Sequence, residues 1–198
     1  MDFVKFFDEA ESWARNRDSL AADQRGPLHG LPISVKECYQ VQGFDSTAGK
    51  KKLKTFLVRT LFTFDLFLSS GLAYNLFKPA EEHSLIVQQL ISLGAVPFCH
   101  TNVPQTMYSL QSSNPIYGAT GNPFDKNREC GGSSGGEGAL VGGGGSVLGV
   151  GNDVGGSVRS PAALCGIYSL RPTHGRHLTQ IRVRIEPKKQ LCSFCSFL

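Results

Sequence analysis

Between Gly118 and Gly166 the chain holds 16 of its 23 glycines. This concentration restricts what it can fold into more than any other feature. The run GGSSGGEGALVGGGGSVLGVGNDVGGSVRSPAALCG is no linker, because Ala-Leu-Val, Val-Leu-Gly-Val and Ala-Ala-Leu interrupt the glycines, and a flexible Gly/Ser tether has nothing apolar to bury. Glycine admits positive φ and close backbone approach, which a binding loop made of main-chain groups requires. A Walker loop needs GxxxxGK[ST], and no lysine follows a glycine pair in the block. A dinucleotide turn needs GxGxxG, and the nearest candidate, Gly149-Val150-Gly151, has Val154 at the third glycine position. Gly131-Gly132-Ser133-Ser134-Gly135 does fit GxSxG, the nucleophile elbow of α/β-hydrolases. That elbow needs a strand immediately before its serine, whereas Pro123 to Cys130 reads as a charged loop. An esterase of that type, with His174 or His177 as base, stays open as an alternative.

The remaining composition narrows the class. A chain of 198 residues with 40% hydrophobic residues can bury the core of one ordinary domain. A formal net charge of +4 gives no support to a dedicated nucleic-acid binder. No apolar run reaches the roughly 20 residues of a spanning helix, and the charged N-terminus is unlike a secretory signal. The six cysteines therefore read as reduced thiols in an intracellular, cytoplasmic protein. Cys192 and Cys195 form a lone CxxC without a second pair, so no metal site is expected.

Periodicity predicts a helix from residue 2 to about 22, with Phe3, Phe6, Phe7, Ala10 and Trp13 at helical spacing. Leu31 to Lys36 reads as a strand by its β-branched content. Residues 81–93 read as a helix closed by Gly94, and Ala95 to Cys99 as a strand. Helices alternating with short apolar strands predict an α/β layered fold.

The thirty-odd residues from Gly131 to Ala162 resemble the signature of the amidase signature family: GGSSGGEGALVG, a spacer of six, then GVGNDVGGSVRSPA. GPLHGLPISVKECYQVQGFDSTAG and GAVPFCHTNVPQTMYSLQSSNPIYGATGNPFD resemble the same family, in wording nearest its fatty acid amide hydrolase branch. The resemblance implies an α/β fold like the N-terminal part of the amidase signature fold, a mixed sheet covered by helices, here incomplete. It implies amide hydrolysis without metal or cofactor, with a small-molecule amide, a fatty acid amide by branch, as substrate. It makes Ser157 the nucleophile, Ser133 a bridging serine and Lys36 the base. A serine hydroxyl attacks only when a neighbouring base takes its proton. A lysine is such a base only when neutral, which burial favours; the apolar strand around Lys36 is consistent with a lowered pKa. The family's oxyanion loop falls on Val154, Gly155 and Gly156 with Ser157, and Met107 resembles a substrate-contacting position. Asp153 and Arg159 read as loop-fixing residues, and Cys38 as a packing residue.

Two segments depart from the family pattern. Removing Lys50 to Gly71 joins DSTAG to LAYN as the family sequence runs. This piece, basic and then rich in Phe and Leu, reads as an atypical insert. From residue 177 the family pattern is lost. The expected organisation is a partial amidase signature domain over 1–176, interrupted at 50–71, with a non-family tail over 177–198. Two consequences are expected. The chain is an inactive fragment if the missing part of the sheet is needed to close the site. Residues 50–71 offer an alternative role as a membrane-surface or partner-binding element, with peripheral membrane association. The sequence does not specify an oligomeric state.

Overall fold

The computed structural model describes residues 3–46, 79–173 and 194–197. Its strands are β1 (Phe3–Phe6), β2 (Pro32–Lys36), β3 (Val96–Thr101), β4 (Ser113–Asn114), β5 (Gly118–Ala119), β6 (Gly149–Asn152), β7 (Ser169–Leu170) and β8 (Phe194–Phe197). Its α-helices are α1 (Ala10–Asp18), α2 (Leu85–Ser92), α3 (Gly135–Gly142) and α4 (Arg159–Leu164). Six strands form one mixed sheet in the order β1-β3-β2-β6-β8-β7, and β4 pairs with β5. The centre, β3-β2-β6, is parallel. β1 joins antiparallel on one side, and β8 lies antiparallel between β6 and β7 on the other. The α/β expectation, a mixed sheet covered by helices, holds.

The two faces of the sheet differ in chemistry. Side chains alternate along a strand. The register Cys99↔Ser34↔Gly149 and Lys36↔Thr101 therefore puts Ser34, Lys36, Cys99, Thr101 and Gly149 on one face. Ile33, Val35 and Val150 turn to the other, where they join Phe7, Ile86, Val87 and Leu90 in the main apolar core. Helix α2 is there because Ile86, Val87 and Leu90 recur on one side of it, and Gly94, at φ +104°, lets the chain leave it for β3. Burying each of these branched side chains contributes roughly 1.5–3 kcal/mol. Helix α3 covers the opposite, polar face. It can approach because Gly149 has no side chain: a Cβ there would overlap the Glu137 carboxylate.

The single helix expected over residues 2–22 is corrected. Phe3–Phe6 is a strand and only Ala10–Asp18 is helical. Phe-Val-Lys-Phe suits a strand as well as a helix, and β3 offers it an open edge to pair with. Phe7 then caps the core, with its ring 4.4 Å from that of Phe44 and 6.2 Å from that of Trp13. The cysteines Cys38, Cys99, Cys130 and Cys165 are buried and form no disulfide among the described residues, and Cys38 packs in the main core. Residues 50–71, His174, His177 and the tail up to Cys192 lie outside the described residues.

Candidate active site

The parallel strands β2, β3 and β6 end side by side at Lys36, Thr101 and Asn152, the edge where α/β sheets place their ligands. Lys36 is 0% exposed. Its Nζ is hydrogen-bonded to Ser133 Oγ at 2.8 Å and donates to Asn152 Oδ1 at 2.5 Å. Ser133 is buried and lies just before α3 in the turn that follows Cys130. No strand leads into it, so the elbow geometry of an α/β-hydrolase is not what carries this serine.

Ser157 stands at the end of the loop that leaves β6. Its carbonyl accepts the Ser134 N–H at 3.0 Å, which ties the loop to the residue after Ser133. The loop is shaped by Asp153, which is fully buried. Asp153 Oδ1 accepts from Gly156 N–H (2.8 Å) and Arg159 Nη2 (2.9 Å). Its Oδ2 accepts from Val158 N–H (3.1 Å), Arg159 N–H (3.2 Å) and Arg159 Nε (2.9 Å). Arg171 Nε donates to the Asp153 carbonyl at 3.2 Å. Burial by itself would raise the Asp153 pKa. The Arg159 guanidinium and the three N–H groups outweigh it and hold this carboxyl well below the usual range. Asp153 and Arg159 thus fix the loop, as their place in the signature suggests.

The Asp153 network determines which main-chain donors remain. The Gly156 N–H is committed to Asp153. Among the described residues none accepts a hydrogen bond from the N–H of Val154, Gly155 or Ser157, and none bonds to the Ser157 hydroxyl. Val154 and Gly155 are exposed. Gly156 has φ +118°, a conformation glycine adopts freely, and this turns the chain into Ser157. Met107 is part of the short 3₁₀ turn Gln105–Met107 that follows β3. Thr106 and Met107 have φ of 62° and 56°. Non-glycine residues rarely hold such values unless their surroundings enforce them. The Met107 side chain is half-buried against the main core.

The sequence reading missed Asn152, which holds Lys36, and Glu137, on α3. Glu137 is 0% exposed. Ser34 Oγ donates to its Oε2 at 2.5 Å and Thr101 Oγ1 to its Oε1 at 2.7 Å. Burial raises its pKa to about 7, against the opposing pull of the two hydroxyls and of Lys36. Burial, with Glu137 nearby, also pushes the Cys99 thiol up. A signal for Glu137 existed in the sequence: one charge inside the small, apolar helix GGEGALVG must be buried with partners. Among the described residues no three His, Cys, Asp or Glu side chains gather into a set that could hold a metal ion. No described helix is long and apolar enough to cross a membrane.

The family model described as Amidase matches residues 3–59 and 63–186. The chain belongs to the amidase family. It is 46% identical over 155 residues to the fatty-acid amide hydrolase 1 of Sus scrofa, covering 78% of this chain and 23% of that one. It is 44% identical over 150 residues to the fatty acid amide hydrolase 1 of Caenorhabditis elegans, covering 76% and 22%. The solved structure of a fatty acid amide hydrolase superposes with a TM-score of 0.73 at 37% identity, over 89% of this chain and 28% of that one. The chain thus spans less than a quarter of the length of these two curated relatives.

Proposed function

We propose that this amidase-family chain hydrolyses a carboxylic amide, a fatty acid amide by likeness to its relatives, through an acyl-enzyme on Ser157. One observation carries the reading: a fully buried lysine amine lies 2.8 Å from Ser133 Oγ, in the turn that Ser134 ties to Ser157. Burial favours the neutral amine, and only a neutral amine can take a proton.

In this mechanism Ser157 Oγ attacks the amide carbon while its proton passes to Ser133, whose own proton passes to Lys36. The oxyanion is received by the unbonded N–H groups of Val154, Gly155 and Ser157. Gly156 contributes its backbone turn, since its N–H already serves Asp153. Collapse breaks the C–N bond, and the relay runs backwards to protonate the departing amine nitrogen. A water molecule then hydrolyses the acyl-enzyme by the same route and returns Ser157. Met107 is assigned contact with the substrate by its resemblance to a substrate-contacting position of the family. Fatty acyl chains partition into lipid, so the protein would meet its substrate at a membrane surface, with residues 50–71 as the segment resting on it.

The test is hydrolysis of a long-chain primary fatty amide, followed by ammonia release. Wild-type turnover is expected to vanish in Ser157→Ala, and acid quench is expected to trap an acyl adduct on Ser157. Equal turnover by both proteins, or no turnover by folded wild type, would overturn the assignment. Vesicle co-sedimentation with and without residues 50–71 tests the membrane contact; equal pelleting of both forms would overturn it.

A further inference from the structure

Glu137 has no part in the relay, yet it is buried beside it. Three independent contacts fix its position. Ser34 Oγ holds one carboxylate oxygen, and Ser34 precedes Lys36 by two residues on β2, so both point to the same face of the sheet. Thr101 Oγ1 holds the other oxygen, and Thr101 is the strand partner of Lys36 across β2 and β3. Gly149 of β6 lies against Oε2, where any side chain would evict the carboxylate. The carboxyl group is therefore enclosed by the three parallel strands, on the face of the sheet that carries Lys36.

We propose that Glu137 is a positioning residue that sets the charge state of Lys36, so that the two groups share a proton as one buried pair. This rests on the role of Lys36 given above. As a carboxylate, Glu137 stabilises the ammonium form of Lys36 and withholds the base. Once the pair has lost that proton, or Glu137 is protonated, Lys36 is neutral and can accept from Ser133. The geometry accommodates both forms of Glu137. When ionised, it accepts from Ser34 and Thr101. When protonated on Oε2, it donates to Ser34 Oγ, which can turn its own proton to the Leu148 carbonyl, 3.4 Å away. Among the described residues Cys99 on β3 also faces the pair, and burial pushes its thiol up, so that it stays protonated. Strand β6 presents only Gly149, Val150, Gly151 and Asn152, none of which titrates. Lys36 and Glu137 also interact electrostatically: the lysine charge lowers the Glu137 pKa against burial.

Two measurements test the pair. The first is the pH profile of Ser157 labelling by a fluorophosphonate in wild type and Glu137→Gln, which keeps the shape and removes the charge. The acid limb is expected to move down by about one pH unit or more in the variant, since a nearby opposite charge displaces a titration by that much. An unmoved limb in a folded variant would overturn the proposal and leave Glu137 a packing residue. The second reads Glu137 without any activity. In protein carrying ¹³C in its glutamate side-chain carboxyls, one buried carboxyl titrates near neutral pH. In Lys36→Met its midpoint is expected to rise by about one unit or more. An unmoved midpoint would overturn the proposal. The carboxyl titration decides the matter if Glu137→Gln does not fold. Absence of Ser157 labelling in wild type would count against the amidase reading and leave the carboxyl measurement standing.

Discussion

Asp153→Asn is a demanding test of how the nucleophile loop is held, because the substitution changes one atom at a fully buried site. Asp153 accepts five hydrogen bonds, two at Oδ1 and three at Oδ2. An asparagine has one acceptor oxygen, and its amide group donates. Whichever way it turns, at least two donors of Gly156, Val158 or Arg159 face an NH₂ group. The better orientation keeps the three bonds at Oδ2 and abandons Gly156 N–H and Arg159 Nη2. Arg159 is about half exposed and can turn to water, while the Gly156 N–H beside Ser157 loses its partner. Each unsatisfied donor costs about 1–3 kcal/mol, and losing the charge weakens the rest, so the variant should lose about 3 kcal/mol. For a chain of this size that is a drop in Tm of about 10 °C. The sign with pH follows from the depressed Asp153 pKa. Its stabilisation is present above the unfolded value of about 4 and is lost as pH falls through the lower folded value. Thermal unfolding of both proteins at several pH values should therefore give a gap that is constant from about pH 5 upward and narrows only below about pH 4. Labelling of Ser157 should also slow, because Gly156 no longer anchors the turn. A Tm within about 2 °C of wild type, or a gap that closes on the alkaline side, would refute the reasoning.

Ser133→Ala should slow Ser157 labelling by about 100-fold or more, the usual worth of a proton-transfer partner, with unfolding little changed; labelling within a few-fold of wild type would remove Ser133 from the relay. Gly149→Ala should destabilise by about 2 kcal/mol or more, since its Cβ has to displace the Glu137 carboxylate; urea unfolding at an unchanged midpoint would mean that α3 does not lie so close. Burial lifts the Glu137 pKa from 4.5 to about 7, so its favourable contribution is complete below the unfolded value and is lost as pH rises through about 7. Wild type should accordingly lose roughly 3 kcal/mol relative to Glu137→Gln between about pH 5 and pH 8, and parallel stability–pH curves would contradict it.

Much of the fold was legible because its signals are local. The strand at Pro32–Lys36 shows in its β-branched residues, and α2 in the spacing of Ile86, Val87 and Leu90. The glycine-rich block placed the backbone-built loop, and burial of Lys36 followed from its apolar neighbours. The beginning of the chain was misread for a physical reason: Phe3 and Phe6 suit either period, and an open edge on β3, distant in sequence, decides for the strand. Asn152 and Glu137 were missed because their importance comes from what lies across the sheet. Asn152 matters through Lys36, 116 positions away, and Glu137 through Ser34, 103 positions away. Only the isolated charge in an otherwise small, apolar helix marked Glu137 in advance. The Gly156 N–H looked like an oxyanion donor in sequence, and only the folded loop reveals that Asp153 already holds it.

The central claim is that Lys36, Ser133 and Ser157 act as one unit. Its most direct measurement is the intact mass of the purified chain after exposure to a fluorophosphonate, beside Ser157→Ala and Lys36→Ala. The account predicts one adduct per wild-type chain, none in Ser157→Ala, and labelling slowed by about 100-fold or more in Lys36→Ala. A folded, soluble wild-type chain that takes up no adduct, or one labelled equally well without Lys36, would contradict it.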